Sequence, residues 1–317
     1  MLIAKRWLKR LSLTVGLLLV LLVFGVLPYL LAGMATTRRF PYRDQENAGL
    51  TPASFGLSFE EVAFSASDGV PLSGWWVPAS GPRGTVVLVH GLNRSRIEMV
   101  KKVPLLHRLG WNALLFDLRH HGQSGGVVSG LGDLERKDVL AAKTLARTRG
   151  SDRVVFWGIS LGGAAAALAA AEDPQVAGLV CDSTYRSLRD TVGHHLQLFR
   201  GFRWWTRVVP AWPVGDEVLF WVGRRAGFDT GAADVRAAAA HLAGRPVLFV
   251  CNSADRRMPP EIAFELKAAA GQRARVLVVP GQSHGGAYRE GTAAYESAVS
   301  ELLAEVEGSP AQAAQGS

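Results

Sequence analysis

The stretch VVFWGISLGGAAAALAAA, residues 154 to 171, changes character in its middle. It begins as a continuous apolar run of strand length and ends as an Ala-rich segment suited to a helix. Between the two stands Gly158-Ile159-Ser160-Leu161-Gly162, a G-x-S-x-G elbow in the strand-turn-helix setting the motif requires. A strand that turns directly into a helix strains the residue at the turn, and glycines two before and two after it avoid side-chain clashes. Ser160 is thereby lifted to a helix N-terminus, where the Leu161 amide and the helix dipole point toward developing negative charge. The pattern predicts a nucleophile at Ser160.

Outward from the elbow, short apolar runs alternate with helical stretches. The runs are Thr85 to His90, Asn112 to Leu118, Arg153 to Gly158, Ala177 to Cys181, Pro246 to Cys251 and Arg273 to Val279; the helices fall near 97–109, 133–148, 161–172, 259–270 and 290–306. Continuous Val/Leu/Phe strands between helices indicate a parallel sheet covered on both faces. Phe59 to Ser67 and Pro71 to Ala79, separated by Asp68-Gly69, add a hairpin, which makes an eight-stranded, mostly parallel α/β sheet. The interval 184–244 lacks an obvious strand, holds Phe199, Phe202, Trp204, Trp205, Trp212 and Trp221, and reads as an inserted helical cap. Its mixture of aromatics with Arg200, Arg203 and Arg207 suits a lipid surface or simple packing of the cap onto the core.

A serine hydroxyl needs a histidine to take its proton, and the histidine needs a carboxylate to hold its tautomer. PVLFVCNSADRRMPPE puts Asp255 four residues beyond Cys251, and VLVVPGQSHGGAY puts His284 just past the last strand. Loops at the C-terminal ends of parallel strands share one edge, so the order Ser160, Asp255, His284 can close into a triad. Asp182, within GLVCDS (178–183), is the alternative acid or a loop-ordering group. The second oxyanion donor is expected after the third strand, in TVVLVHGLNRSR, with Leu92 paired to Leu161. His90 is read as a loop-bonding residue, and Asn93 as ordering the turn or touching substrate.

Of the formal charge of +8, residues 1 to 46 contribute seven Lys/Arg against Asp44 and Glu46, leaving +3 for the other residues. That remainder argues against a nucleic-acid protein. No charged residue occurs from Leu11 to Thr37, and Leu11 to Gly33 suffices to cross about 30 Å of hydrocarbon as a helix. Residues 1–10 form a basic segment, and the positive-inside bias puts the N-terminus in the cytoplasm and the catalytic domain outside it. Cleavage near Gly33-Met34-Ala35, giving a secreted protein, is the alternative. Residues 34–56 read as a linker, 57–306 as the folded domain and 307–317 as a disordered tail. The two cysteines, Cys181 and Cys251, lack zinc spacing and are expected to be buried and free.

The chain resembles the α/β-hydrolase superfamily, and within it the membrane-anchored Bem46-like or serine aminopeptidase S33-like hydrolases. The resemblance covers about 57–306. It rests on His90-Gly91, the segment Asp117 to Ser124, the elbow at Ser160, the Asp255 loop with Met258-Pro259-Pro260, and Ser283-His284-Gly285. His120 stands where the family commonly has Gly. The resemblance implies the α/β-hydrolase fold and a Ser-Asp-His hydrolase without cofactor or metal, acting on small-molecule or lipid-like acyl substrates. An acyltransferase using the same triad, or a non-catalytic tethered domain, are the competing readings.

Overall fold

The computed structural model describes residues 2–37, 47–201, 206 and 209–309. Eight strands, β1 (Glu60–Ser65), β2 (Pro71–Val77), β3 (Thr85–Val89), β4 (Asn112–Phe116), β5 (Val154–Ile159), β6 (Gly178–Asp182), β7 (Val247–Asn252) and β8 (Ala274–Val279), form one sheet. Their order is β1-β2-β4-β3-β5-β6-β7-β8. β1 and β2 form the hairpin around Asp68-Gly69, with Gly69 at a φ of 81°, a left-handed position that glycine adopts without steric cost. β2 pairs antiparallel with β4, and every later neighbour is parallel.

Strand periodicity divides the core. Val87, Val89 and Phe156 face one side of the sheet, and Val86, Leu88, Val155 and Trp157 face the other, because successive strand side chains alternate. The first side is covered by α4 (Glu135–Thr148), α5 (Leu161–Glu172), α8 (Val235–Ala240) and α9 (Pro260–Ala270), and the second by α3 (Val103–Arg108) and α11 (Thr292–Gly308). α5 is buried from Leu161 to Ala170, and its alanines let it lie close to the strands. A short α10 (Ala287–Glu290) precedes α11.

Two helices follow β6 and pack on each other, α6 (Leu188–Arg200) and α7 (Ala211–Ala226). The stretch 184–244 is therefore not all cap. α8 packs against α5 and α9, because a parallel β6 to β7 connection needs a crossover helix on the sheet. Residues 202–205, 207 and 208, with most of the aromatic and basic cluster, lie outside the described residues.

The N-terminal helix runs through α1 (Leu2–Leu21), a π-helical turn at Leu22–Val26 and α2 (Leu27–Thr36). Proline at residue 28 has no N–H for the preceding turn, a recognised cause of such a bulge. The stretch Lys5–Thr36 is long and apolar enough to cross a membrane. Helix continues past Gly33 into the interval read as linker, because Ala32, Gly33 and Thr36 are buried against the domain and the Ser129 N–H donates to the Thr36 carbonyl at 2.9 Å. At the other end α11 extends to Gly308, past the predicted start of the tail.

Candidate active site

Ser160 follows β5 with φ 52° and ψ −115°, a strained conformation for a residue with a side chain. Its N–H donates to the Asp182 carbonyl at 2.7 Å, carrying the β5–β6 ladder one residue beyond the strand. The glycines around it are sterically required. A Cβ at Gly158 would lie 2.2 Å from the Gly162 carbonyl oxygen, and one at Gly162 would lie 2.4 Å from the carbonyl oxygens of Val89 and His90.

Asp255 and His284 reach Ser160 from the ends of β7 and β8. Those loops are laced together: the Ser253 N–H donates to the Val279 carbonyl at 2.9 Å and the Ala254 N–H to the Gly281 carbonyl at 2.8 Å. His284 Nδ1 lies 2.8 Å from Asp255 Oδ2, and its Nε2 lies 2.9 Å from Ser160 Oγ. With the proton on Nδ1, the ring donates to the carboxylate and presents Nε2 as acceptor for the hydroxyl. Asp255 Oδ1 accepts from the amides of Arg257 at 2.8 Å and Met258 at 3.1 Å. Burial pushes this carboxyl upward, but His284 and the two amides outweigh it, so the group sits below its ordinary 3.8. The carboxylate form is the one the site favours.

Asp182 does not touch the imidazole as the alternative acid would. It accepts from Ser183 Oγ at 2.9 Å and from Tyr295 OH at 3.1 Å. Ser183 Oγ in turn accepts the Gly285 N–H at 3.1 Å. Among the described residues, the carboxylate is therefore hydrogen-bonded to the histidine loop through Ser183 and not directly.

The predicted oxyanion residues flank the serine. Leu161 opens α5, so its N–H has no intrahelical acceptor. Around Leu92, the Gly91 amide donates to Glu98 Oε2 at 2.7 Å and the Asn93 amide to His121 Nε2 at 3.2 Å. These two bonds hold the loop from either side of Leu92, which lines the same hollow as Ser160. His90 Nδ1 bonds the Gly91 carbonyl at 2.8 Å, and its Nε2 accepts the Leu118 N–H at 3.0 Å, so it orders the loop. His120 adopts a φ of 60°, a left-handed position uncommon for a residue with a side chain.

Glu98, His121, Ser183 and Tyr295 were not among the predicted site residues. The contacts Glu98 to Gly91, His121 to Asn93, Ser183 to Gly285 and Tyr295 to Asp182 span 7, 28, 102 and 113 positions, so no local pattern marked them, although His121 and Ser183 stand inside quoted segments. The hollow beside Ser160 has a volume of about 200 Å³ and is lined by Leu92, Arg94, Glu98, Ile159, Arg257 and Gly285. Cys181 and Cys251 are free and buried, and burial raises the thiols to about 12 and about 11. Among the described residues no group of three or more His, Cys, Asp or Glu is arranged to hold a metal ion.

Residues 80–231 match the protein family described as serine aminopeptidase, S33, and residues 227–312 match one described as TAP-like protein. An uncharacterized protein of Mycobacterium tuberculosis is 30% identical over 279 residues, covering 86% of this chain and 88% of that one. YqkD of Bacillus subtilis is 26% identical, covering 78% and 81%. Among solved structures, an esterase of Pyrococcus furiosus superimposes with a TM-score of 0.67 over 81% of this chain and 95% of that one, at 23% identity. That last likeness concerns the fold alone.

Proposed function

Since the chain belongs to the α/β-hydrolase superfamily, we propose that it is a membrane-anchored serine hydrolase acting on ester, thioester or amide bonds of small or lipid-like acyl substrates. One observation carries this reading: an unbroken hydrogen-bonded chain from Ser160 Oγ through His284 to Asp255, on a strained elbow beside an open hollow. In the first step Ser160 Oγ bonds to the acyl carbon while its proton passes to His284 Nε2. Asp255 orients the ring and stabilises the imidazolium. The amides of Leu92 and Leu161 donate to the oxyanion, each worth about 3–4 kcal/mol when well aimed. Collapse expels the leaving group, which takes the proton from His284. Water then attacks the acyl-enzyme, giving its proton to His284, and Ser160 leaves with that proton as the acid is released.

The apolar N-terminal helix, with Lys5, Arg6, Lys9 and Arg10 before its uncharged run, supports an anchor with the N-terminus in the cytoplasm and the catalytic domain on the other side. A hollow of about 200 Å³, below the ~300–1,000 Å³ of drug-sized sites, supports a short acyl arm at the reacting carbon. Fluorophosphonate labelling tests the central reading. The native chain should be labelled covalently and Ser160→Ala should not; labelling that survives the substitution would reassign the nucleophile. A series of nitrophenyl esters of increasing acyl length then reads the acyl preference.

A further inference from the structure

The anchor helix leaves too little free length to cross a bilayer by itself. From Val23 onward the helix is docked: Val23, Phe24, Leu27, Leu31 and Ala35 pack against the core of the domain, and Pro28, Ala32, Gly33 and Thr36 are buried. The uncharged portion that stands clear, Leu11 to Leu22, supplies roughly 18 Å of helix at about 1.5 Å per residue. The hydrocarbon layer is about 30 Å thick. Sliding the helix inward to make up the difference would draw Lys9 and Arg10, then Arg6 and Lys5, into hydrocarbon, where charges are strongly disfavoured.

The docked segment has the chemistry of a buried membrane face on its outer side as well. Val26, Leu30 and Met34 are 48%, 50% and 52% exposed, and their four-residue spacing puts them on one stripe. The partner of the inner side is α7. Tyr29 packs edge-on against Trp221 at 5.2 Å, the Arg225 guanidinium lies 5.0 Å above the Tyr29 ring, and Gly33 lies against Arg225. Trp221 matches Tyr29 and Arg225 matches Gly33, four residues further along each helix, so α2 and α7 run in the same direction. α7 also contacts the π-helical turn at Leu22–Val26. On α7, Trp212 is 77% exposed and Phe220 is 55% exposed, while Asp216 is paired with Arg189 at 2.6 Å.

We infer that α7 is itself immersed in the membrane boundary beside α2, with Phe220 and Trp212 in contact with bilayer lipid. Arg224 and Arg225, in the last turn of α7, then lie toward the headgroups and the aromatics lie deeper. This rests on the anchor reading above, since α7 enters the bilayer only because the helix it is docked to does. The consequence reaches the site. α7 packs on α6, and His194 of α6 bonds the Arg256 carbonyl at 2.8 Å, so a membrane-seated cap is tied to the loop that carries Asp255.

The test uses the full chain in phosphatidylcholine vesicles, with single cysteines introduced as Phe220→Cys, Leu18→Cys and Asp152→Cys and labelled with an environment-sensitive fluorophore. The native chain, whose two cysteines are buried, gives the background. Leu18 is 59% exposed in the anchor, and the Asp152 side chain is 84% exposed at the opposite edge of the sheet. The label at 220 should be quenched several-fold more by nitroxide-bearing lipid than the label at 152, and shielded from aqueous iodide. If 220 behaves like 152 while 18 is lipid-quenched, the anchor stands and the immersion of α7 is overturned. If 18 is also open to iodide, the anchor reading fails and the inference falls with it.

Discussion

Asp182 and Asp255 sit at the ends of neighbouring strands, on the same edge of the sheet, and are 0% and 3% exposed. Burial pushes both carboxyls upward, yet one ends above its ordinary value and the other below it. The difference lies in the donors. Asp255 is reached by an imidazole and two backbone amides whose positions the loop holds. For Asp182, burial is opposed only in part by the buried Lys102, by the hydroxyls of Ser183 and Tyr295, and by the charge of His284. Burial of a carboxylate therefore says little about its role; the number and directness of the groups that favour its charged form decide it.

The comparison predicts unequal losses. Asp255→Asn should lower kcat by about 10⁴, because an amide cannot hold the imidazole in the productive tautomer. Steady-state hydrolysis of a nitrophenyl ester measures this. Asp182→Asn should leave kcat within about tenfold and instead cost on the order of 1–3 kcal/mol of stability, the penalty for mismatched buried hydrogen bonds. Larger damage to turnover from Asp182→Asn than from Asp255→Asn would break the contrast.

The pH dependence should separate the pair by sign. A carboxyl held below 3.8 contributes stability that is present above that value and lost as pH falls through its folded value. The deficit of Asp255→Asn, read as a difference in Tm, should therefore shrink on acidification below about pH 4. Asp182, held above 3.8, costs stability as pH rises past that value until it ionises in the folded protein. The deficit of Asp182→Asn should shrink in the opposite direction, on going upward from about pH 4. Parallel trends for both substitutions would show that the two sites do not differ in this way. The smallest effect is expected from Tyr295→Phe, which removes one hydrogen bond to Asp182 and leaves Trp157 Nε1 without its 3.0 Å partner, for about 1 kcal/mol in chemical denaturation.

Much of the catalytic edge was legible because its determinants are local. The elbow announces itself within five residues, and the strand before it and helix after it follow from period and composition. Asp255 and His284 were reachable because each lies just past an apolar run, and parallel topology sends such loops to one edge. The sequence does not separate the crossover helix α8 from the cap, since its Ala-rich stretch carries no local mark of which face it covers. Glu98 and His121 bracket Leu92 through contacts with residues 7 and 28 positions away, and such pairings have no signature in one sequence.

By itself the sequence determined the α/β class, the eight strands, the candidate nucleophile and its base, and an apolar helix of membrane-crossing length, because periodicity and turn chemistry act over a few residues. Three things were decided only by the tertiary structure. It brought His284 to Asp255 and left Asp182 to Ser183 and Tyr295. It committed the amides on either side of Leu92 to the scaffold. It also docked the last turns of the N-terminal helix against α7. Each depends on which distant groups meet, and a hydrogen bond or an edge-on ring contact is set by ångström-scale placement that only the packed chain supplies.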